Sequence, residues 1–225
     1  MAALTLVVGN KNYSSWSLRP WLAMRQAGIA FEEVVIPLYR PESKAALLAH
    51  SPAGKVPALM HGDRVVWDSL AIMEYLAETF PAAALWPEDA AARALARCIS
   101  AEMHAGFAAL RAGMPMNLRD QPPRPERSDA VTADIERVTA IWRDCRARSD
   151  DRGPFLFGAF SAADAMYAPV ATRFRTYDVA LDPTCQAWAD AVLARPAFLQ
   201  WQAAAQQEPW VITRYANPAP AASDA

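Results

Sequence analysis

The sequence predicts an α/β unit at residues 1–81, a linker at 82–89 and an all-helical region at 90–225. In the first part, short strand-like apolar runs alternate with helical patterns, which is typical of α/β folds. After the Phe80-Pro81 pair, the apolar residues recur only at helical spacing. The predicted element order of the first part is βαβαββα.

The first half of the α/β unit is predicted to run strand, helix, strand. Leu4–Val8 is a short apolar run of the kind found in buried strands. A helix follows, because Ser14 or Ser15 can cap its start and Gly28 can end it. Phe31–Ile36 is the second predicted strand. This half therefore places two small hydroxyl side chains at the start of a helix.

The second half is predicted to contain a short helix, a β-hairpin and a longer helix. The short helix covers Pro41–Ala49. The strands Pro57–Met60 and Arg64–Trp67 flank Gly62-Asp63, a two-residue turn signal. The helix at Ser69–Phe80 carries a stripe of apolar residues. These elements complete the βαβαββα order.

The rest of the chain shows a series of helices. One helix is predicted at Arg93–Arg111, before Pro115 and a proline cluster at 122–125. Ser128 caps the next helix, and Ser161 with Asp164 forms a capping box, so Asp164 is expected to be structural. Three further segments complete the prediction, namely helices at Pro183–Leu193 and Pro196–Ala204 and a fraying tail from Asn217.

Composition and charge exclude several classes of function. The chain has 225 residues, of which 53% are apolar, and a formal net charge of −2. This balance gives no reason to expect binding to nucleic acid or to an anionic membrane. No apolar run is long enough to span a membrane, and the first residues lack the basic region of a signal peptide. A cytoplasmic protein is expected.

The cysteines and histidines show no metal-binding pattern. Cys98, Cys145 and Cys185 are widely separated, and we expect each to be a small buried hydrophobic residue. The three histidines, His50, His61 and His104, also lack the spacing of metal ligands. No metal cofactor is expected.

Four segments carry a resemblance to the cytosolic glutathione transferases, namely Ser14–Arg19, Ser51–Leu59, Asp68–Ile72 and Gly158–Asp164. The resemblance covers nearly the whole chain. It implies a thioredoxin-like first domain, an all-helical second domain, glutathione as co-substrate and a homodimer. The serine pair is similar to the serine-type, zeta branch, in which a cysteine stands at the position of Trp16.

The resemblance implies that Ser14 stabilises the thiolate of glutathione. A hydroxyl and a helix N-terminus both favour an anionic sulfur. A free thiol has a pKa of about 8.5, and lowering it by two units requires roughly 2.7 kcal/mol. Ser15 is the main alternative for this role, and the hydroxyl of Tyr13 is a third.

The resemblance also implies a set of glutathione contacts. The backbone of Val56 would pair with the cysteinyl part, held by a cis peptide bond at Pro57. Lys55 would reach the glycine carboxylate. Asp68 would hold the γ-glutamyl ammonium, and Ser69 its carboxylate.

The second substrate is expected to be an apolar electrophile in a pocket between the domains. Five residues are candidates to line that pocket: Trp16, Met103, His104, Phe107 and Met114. Two other functions remain open. The first is a glutathione-dependent isomerase, like maleylacetoacetate isomerase, or a peroxidase that uses the same thiolate. The second is a non-catalytic glutathione-binding protein.

Overall fold

The computed structural model describes residues 3–119, 126–149 and 152–216. The predicted proline cluster at 122–125 and the tail from Asn217 lie outside the described residues. The first part folds as predicted, in the order β1 (Leu4–Val8), α1 (Ser15–Gln26), β2 (Glu32–Val35), α2 (Ser43–Leu48), β3 (Ala58–His61), β4 (Arg64–Trp67) and α3 (Ser69–Thr79). The βαβαββα prediction is therefore confirmed.

The four strands form one mixed sheet in the order β2-β1-β3-β4. β1 and β2 are parallel, whereas β3 is antiparallel to both β1 and β4. Alternate residues of a strand face opposite sides of the sheet. Accordingly, Leu6 and Val8 join the main hydrophobic core, and Val7 joins a smaller cluster with Leu47 of α2. Thus α2 packs against one face, while the opposite face joins the core that continues into the helical region.

The second part is helical throughout its described elements. After a short 3-10 turn at Pro81–Ala83 come α4 (Ala90–Ala105), α5 (Ala108–Gly113), α6 (Asp129–Ala147), α7 (Ala162–Thr176), α8 (Pro183–Leu193), α9 (Pro196–Gln207) and α10 (Thr213–Ala216). All residues of α7 except Arg175 are buried, and α7 packs against α1, α4 and α8. Through helix α7, the helical region therefore packs directly against α1 of the α/β unit.

The prediction of a single helix at Arg93–Arg111 is wrong, because the structure has two helices there, α4 and α5. Gly106 ends α4 with its backbone N–H on the carbonyl of Glu102, and Phe107 adopts left-handed backbone angles with φ 57°. A Cβ at Gly106 would lie 2.8 Å from that carbonyl oxygen. Glycine is a poor residue for a helix interior, and here it ends one.

The predicted helix caps at Ser14, Ser128 and the Ser161–Asp164 box are present.

The prediction that the cysteines are buried holds for two of the three residues. Burial raises the pKa of the Cys145 and Cys185 thiols to about 12, whereas Cys98 is exposed, so its expected burial is wrong. Among the residues described, no helix combines the length and apolar character needed to cross a membrane.

Candidate functional site

Two neighbouring cavities open where the α/β unit meets the helical region. One has a volume of about 570 Å³ and the other about 540 Å³. Trp16, Lys55 and Val56 line both, so the two cavities are adjacent.

The 570 Å³ cavity brings together the five residues predicted to contact glutathione. Its lining includes Lys55, Val56, Pro57, Asp68 and Ser69. The peptide bond between Val56 and Pro57 is cis, as predicted. These residues come from the β3 start and the α3 start, which the hairpin of β3 and β4 brings side by side.

Asp68 connects the start of α3 to the helical region. It has a positive φ of 76°, which is uncommon outside glycine, and its Oδ1 accepts the backbone N–H of Leu70 at 2.9 Å. Its Oδ2 lies 3.2 Å from Nε2 of His104, a residue of α4. The Asp68 side chain is 43% exposed, so this carboxylate remains accessible from the cavity.

Ser69 lies beside a buried cation. Its hydroxyl is 3.4 Å from Nη1 of Arg19, whose guanidinium is fully buried over the Trp16 ring at 4.2 Å. The Nε and Nη2 atoms of Arg19 have no hydrogen-bond partner among the described residues. Burial, and then repulsion from Arg173 and Arg111, lower the pKa of Arg19 to about 9. This part of the site therefore has excess positive charge.

Ser14 caps α1 and lines the 540 Å³ cavity. Its Oγ accepts the backbone N–H of Ser17 at 3.4 Å and lies 2.8 Å from the Ser17 hydroxyl. The Ser17 Oγ already accepts the N–H of Gly9 at 3.0 Å, so its own proton can be donated to Ser14. Ser14 then accepts two hydrogen bonds, and its proton is available to a ligand in the cavity.

Ser15 and Tyr13 line the same cavity but have other partners. The Ser15 hydroxyl accepts a hydrogen bond from Nη2 of Arg173 at 3.2 Å. The Tyr13 hydroxyl lies 3.5 Å from Nη2 of Arg119. All three candidate hydroxyls therefore line one cavity. Of the three, only Ser14 has no arginine partner among the described residues, since its hydroxyl contacts the hydroxyl and the backbone N–H of Ser17.

The 540 Å³ cavity is rich in positive charge. Its lining includes five cationic side chains, namely Arg40, Lys44, Lys55, Arg111 and Arg173, and none of its described lining residues carries a carboxylate. Arg173 is buried, and its burial, with repulsion from Arg111, lowers its pKa to about 10. Burial also lowers the pKa of Arg111. An anion in this cavity would relieve the repulsion between these cations.

Three of the five residues predicted to line the substrate pocket lie elsewhere. Trp16 lines both cavities and His104 lines the larger one. Met103, Phe107 and Met114 are at most 7% exposed, belong to the hydrophobic core and line neither of these two cavities. Only Met103 lies within a helix, α4, whereas Phe107 and Met114 flank α5, so the spacing that suggested one helical stripe reflects core packing instead.

Sequence reasoning missed the arginines and two tyrosines of the site. Arg111 follows Leu110 in α5, and Arg173 lies in α7, most of whose residues are apolar. An arginine within such a helix was the available signal. Tyr39 and Tyr215 line the 540 Å³ cavity from distant parts of the chain, and no local pattern marks them. No group of three or more acidic, histidine or cysteine side chains with metal-binding geometry occurs within the described part of the chain.

Comparison with known proteins identifies the family. Residues 13–79 match the model of the glutathione S-transferase N-terminal domain, and residues 88–201 match that of the C-terminal domain. Glutathione S-transferase 3 of Zea mays is 30% identical over 195 residues, which are 80% of this chain and 86% of that protein.

Two further relatives are named as isomerases. A probable maleylacetoacetate isomerase of Caenorhabditis elegans is 39% identical over 93 residues, 41% of this chain. The chain spans 42% and 38% of the length of the first two curated relatives that it matches. The holo structure of maleyl pyruvate isomerase, a bacterial glutathione S-transferase in the zeta class, is 27% identical, with a TM-score of 0.69. That match covers 91% of this chain and 99% of the other.

These likenesses support the zeta-like resemblance of the serine pair. Both domain models match in the order and at the positions where the structure places the α/β unit and the helical region. The chain belongs to the glutathione S-transferase family.

Proposed function

We propose that this protein is a glutathione transferase that binds glutathione in the 570 Å³ cavity and activates its thiol at Ser14. The electrophile would occupy the 540 Å³ cavity. One observation carries the proposal: the cavity that contains Asp68 and Ser69 shares Trp16, Lys55 and Val56 with the cavity that contains Ser14. A bound tripeptide can therefore place its sulfur between the two.

The polar groups of the larger cavity match the ends of glutathione. The exposed Asp68 carboxylate would pair with the γ-glutamyl ammonium, and Ser69 at the α3 start would hold the neighbouring carboxylate. The cation of Arg19 behind Ser69 adds favourable charge for that carboxylate. Val56 would pair with the cysteinyl backbone, and Lys55 would reach the glycine carboxylate.

The chemistry requires a thiolate and no general base. The Ser14 proton would be donated to the sulfur, and the N-terminus of α1 adds a partial positive charge. The buried Arg173 beside Ser15 contributes further positive potential. Together these groups would supply the roughly 2.7 kcal/mol that a two-unit shift in thiol pKa requires. The thiolate then attacks the electrophilic atom, and the leaving group departs with the bonding electron pair.

We expect Asp68→Asn and Ser69→Ala each to weaken glutathione binding by roughly 10- to 100-fold, because each removes a charge-assisted hydrogen bond worth about 1.5–3 kcal/mol. Asn at position 68 retains an oxygen to cap Leu70, so the start of α3 should stay folded. Isothermal titration calorimetry measures the effect. Asp63→Asn, in the β3–β4 turn, is the control. Unchanged affinity in both site variants contradicts this binding mode.

The cationic cavity favours a second candidate, a glutathione-dependent isomerase of an unsaturated carboxylate. The thiolate would add to a carbon–carbon double bond conjugated with a carbonyl, the resulting single bond would rotate, and expulsion of the thiolate would restore the double bond. Arg111 and Arg173 lie where they can hold carboxylates of such a substrate. The two isomerase relatives point in the same direction.

One pair of assays separates these functions. A transferase consumes glutathione and forms a conjugate with 1-chloro-2,4-dinitrobenzene. An isomerase converts a cis-unsaturated dicarboxylate such as maleylpyruvate to its trans form without consuming glutathione. A peroxidase instead oxidises glutathione with cumene hydroperoxide. Glutathione binding without any of these activities would indicate a binding protein.

We also propose a homodimer located in the cytoplasm, with a detoxifying role if the transferase activity dominates. The chain resembles the glutathione transferases along nearly its whole length, and this resemblance supports the dimer. We expect light scattering at micromolar concentration to give about twice the chain mass of 24.6 kDa. A monomeric mass contradicts the dimer and leaves the proposed chemistry intact.

A further inference from the structure

The segment 208–216, which follows α9 and is called the strap below, is anchored to the loop that precedes Ser14. The buried Glu208 carboxylate accepts the backbone N–H groups of Lys11 at 2.6 Å and Asn12 at 3.1 Å. Both amides belong to the turn that leads into α1. The start of the strap is therefore fixed to the turn that precedes Ser14.

A second anchor fixes the middle of the strap. The Arg119 guanidinium donates hydrogen bonds to the carbonyl of Glu208 and, at 3.2 Å, to that of Trp210. Ile212 is buried, with 6% exposure. These contacts hold residues 208–212 against the rest of the protein.

The end of the strap lies against the 540 Å³ cavity. The ring centroid of Tyr215 is 5.9 Å from that of Tyr13 and 6.0 Å from that of Tyr39. The hydroxyls of Tyr215 and Tyr39 are 3.1 Å apart, and the Arg214 guanidinium stacks over Tyr39 at 3.8 Å. Tyr13, Tyr39 and Tyr215 all line the cavity. An aromatic wall is thus assembled from three distant parts of the chain.

We infer that Tyr215 is a specificity-determining residue, whose ring contacts the far end of the group attached to the glutathione sulfur. The inference rests on the proposed function, because it places that sulfur near Ser14 in the same cavity. A short group would remain beside Ser14 and Trp16. A longer apolar group would cross the cavity and bury its end against the ring of Tyr215.

S-substituted glutathiones test this inference without requiring turnover. We expect Tyr215→Ala to weaken the binding of S-hexylglutathione by about 5- to 30-fold, because the aromatic contact area is lost. The same variant should change the affinity for S-methylglutathione less than about twofold, because the methyl group does not reach the strap. Isothermal titration calorimetry on the full-length protein gives both constants.

Two variants serve as controls. Tyr215→Phe keeps the ring and should retain the wild-type affinity for S-hexylglutathione within about twofold. Val211→Ala alters a strap residue that is 63% exposed and absent from the cavity lining, and it should change neither affinity.

Three results overturn the inference: equal losses for both ligands in Tyr215→Ala, no loss for either ligand, or a loss in Tyr215→Phe as large as in Tyr215→Ala. Failure of the proposed function is recognised separately, because wild-type protein would then bind neither glutathione nor S-methylglutathione.

Discussion

Replacing Ser14 with alanine is expected to lower turnover by roughly 10- to 1,000-fold at neutral pH while leaving glutathione affinity nearly unchanged. The hydroxyl contributes little to binding of the neutral thiol but stabilises the thiolate. Its loss should therefore raise the pKa of bound glutathione towards the free value of about 8.5. Much of the lost rate should return at higher pH, because the thiol then ionises without assistance.

The hydrogen bonds around Ser14 give this prediction a second part. The Ser17 hydroxyl, which accepts the N–H of Gly9 at 3.0 Å, lies 2.8 Å from the Ser14 hydroxyl, and when it donates its proton to Ser14 the Ser14 proton is available to the sulfur. Ser17→Ala should therefore shift the thiol pKa in the same direction as Ser14→Ala, by a smaller amount. An effect of Ser17→Ala equal to that of Ser14→Ala would contradict the assignment of Ser14 as the direct donor.

Ultraviolet absorbance of the thiolate against pH, with the pH dependence of kcat, measures these effects. Ser15→Ala and Tyr13→Phe are the matched controls, since both hydroxyls line the same cavity but have arginine partners. If Ser15→Ala or Tyr13→Phe raises the thiol pKa and Ser14→Ala does not, a different hydroxyl activates the sulfur. If no variant moves the pKa, the α1 N-terminus and the neighbouring cations act without a hydroxyl.

The α/β unit could be predicted from the sequence because its signals are local. The β3–β4 hairpin follows from Gly62-Asp63 between two apolar runs, and the caps of α1 and α7 follow from serine at each helix start. The five predicted glutathione-contact positions also come together in one cavity. Each of these features depends on residues close together in the chain or on the family resemblance.

The second-substrate cavity could not be predicted in the same way. Helical spacing identified Met103 and Phe107 as one stripe, but periodicity alone does not show whether a stripe faces a cavity or the core. The contacts that build the cavity span long separations: Ser15 with Arg173 is 158 residues apart, and Tyr39 with Tyr215 is 176. Such pairs are fixed only when α7 and the strap pack onto the first unit.

The start of helix α7 is held in place by the carboxylate of one residue, Asp164. Asp164 is fully buried, and each of its oxygens accepts two hydrogen bonds. Oδ1 accepts from Leu156 N at 2.9 Å and Trp188 Nε1 at 2.8 Å, and Oδ2 accepts from the backbone N–H and the hydroxyl of Ser161. Burial raises the pKa of Asp164, while these four donors act to lower it.

Asp164→Ala is therefore expected to reduce the free energy of unfolding by about 3–5 kcal/mol, because it leaves four donors without their acceptor in the core. Asp164→Asn should be nearly as harmful, since its amide NH₂ would face two of those donors whichever way it is oriented. Urea unfolding followed by circular dichroism measures both. Asp89→Ala is the matched control: Asp89 caps α4 through one exposed hydrogen bond, to Ala92 N at 2.7 Å, and its loss should cost about 0.5–2 kcal/mol. If Asp164→Asn lowers the free energy of unfolding by less than about 1 kcal/mol, one acceptor oxygen is sufficient. The pairing of two donors with each carboxylate oxygen would then not be what holds α7 in place.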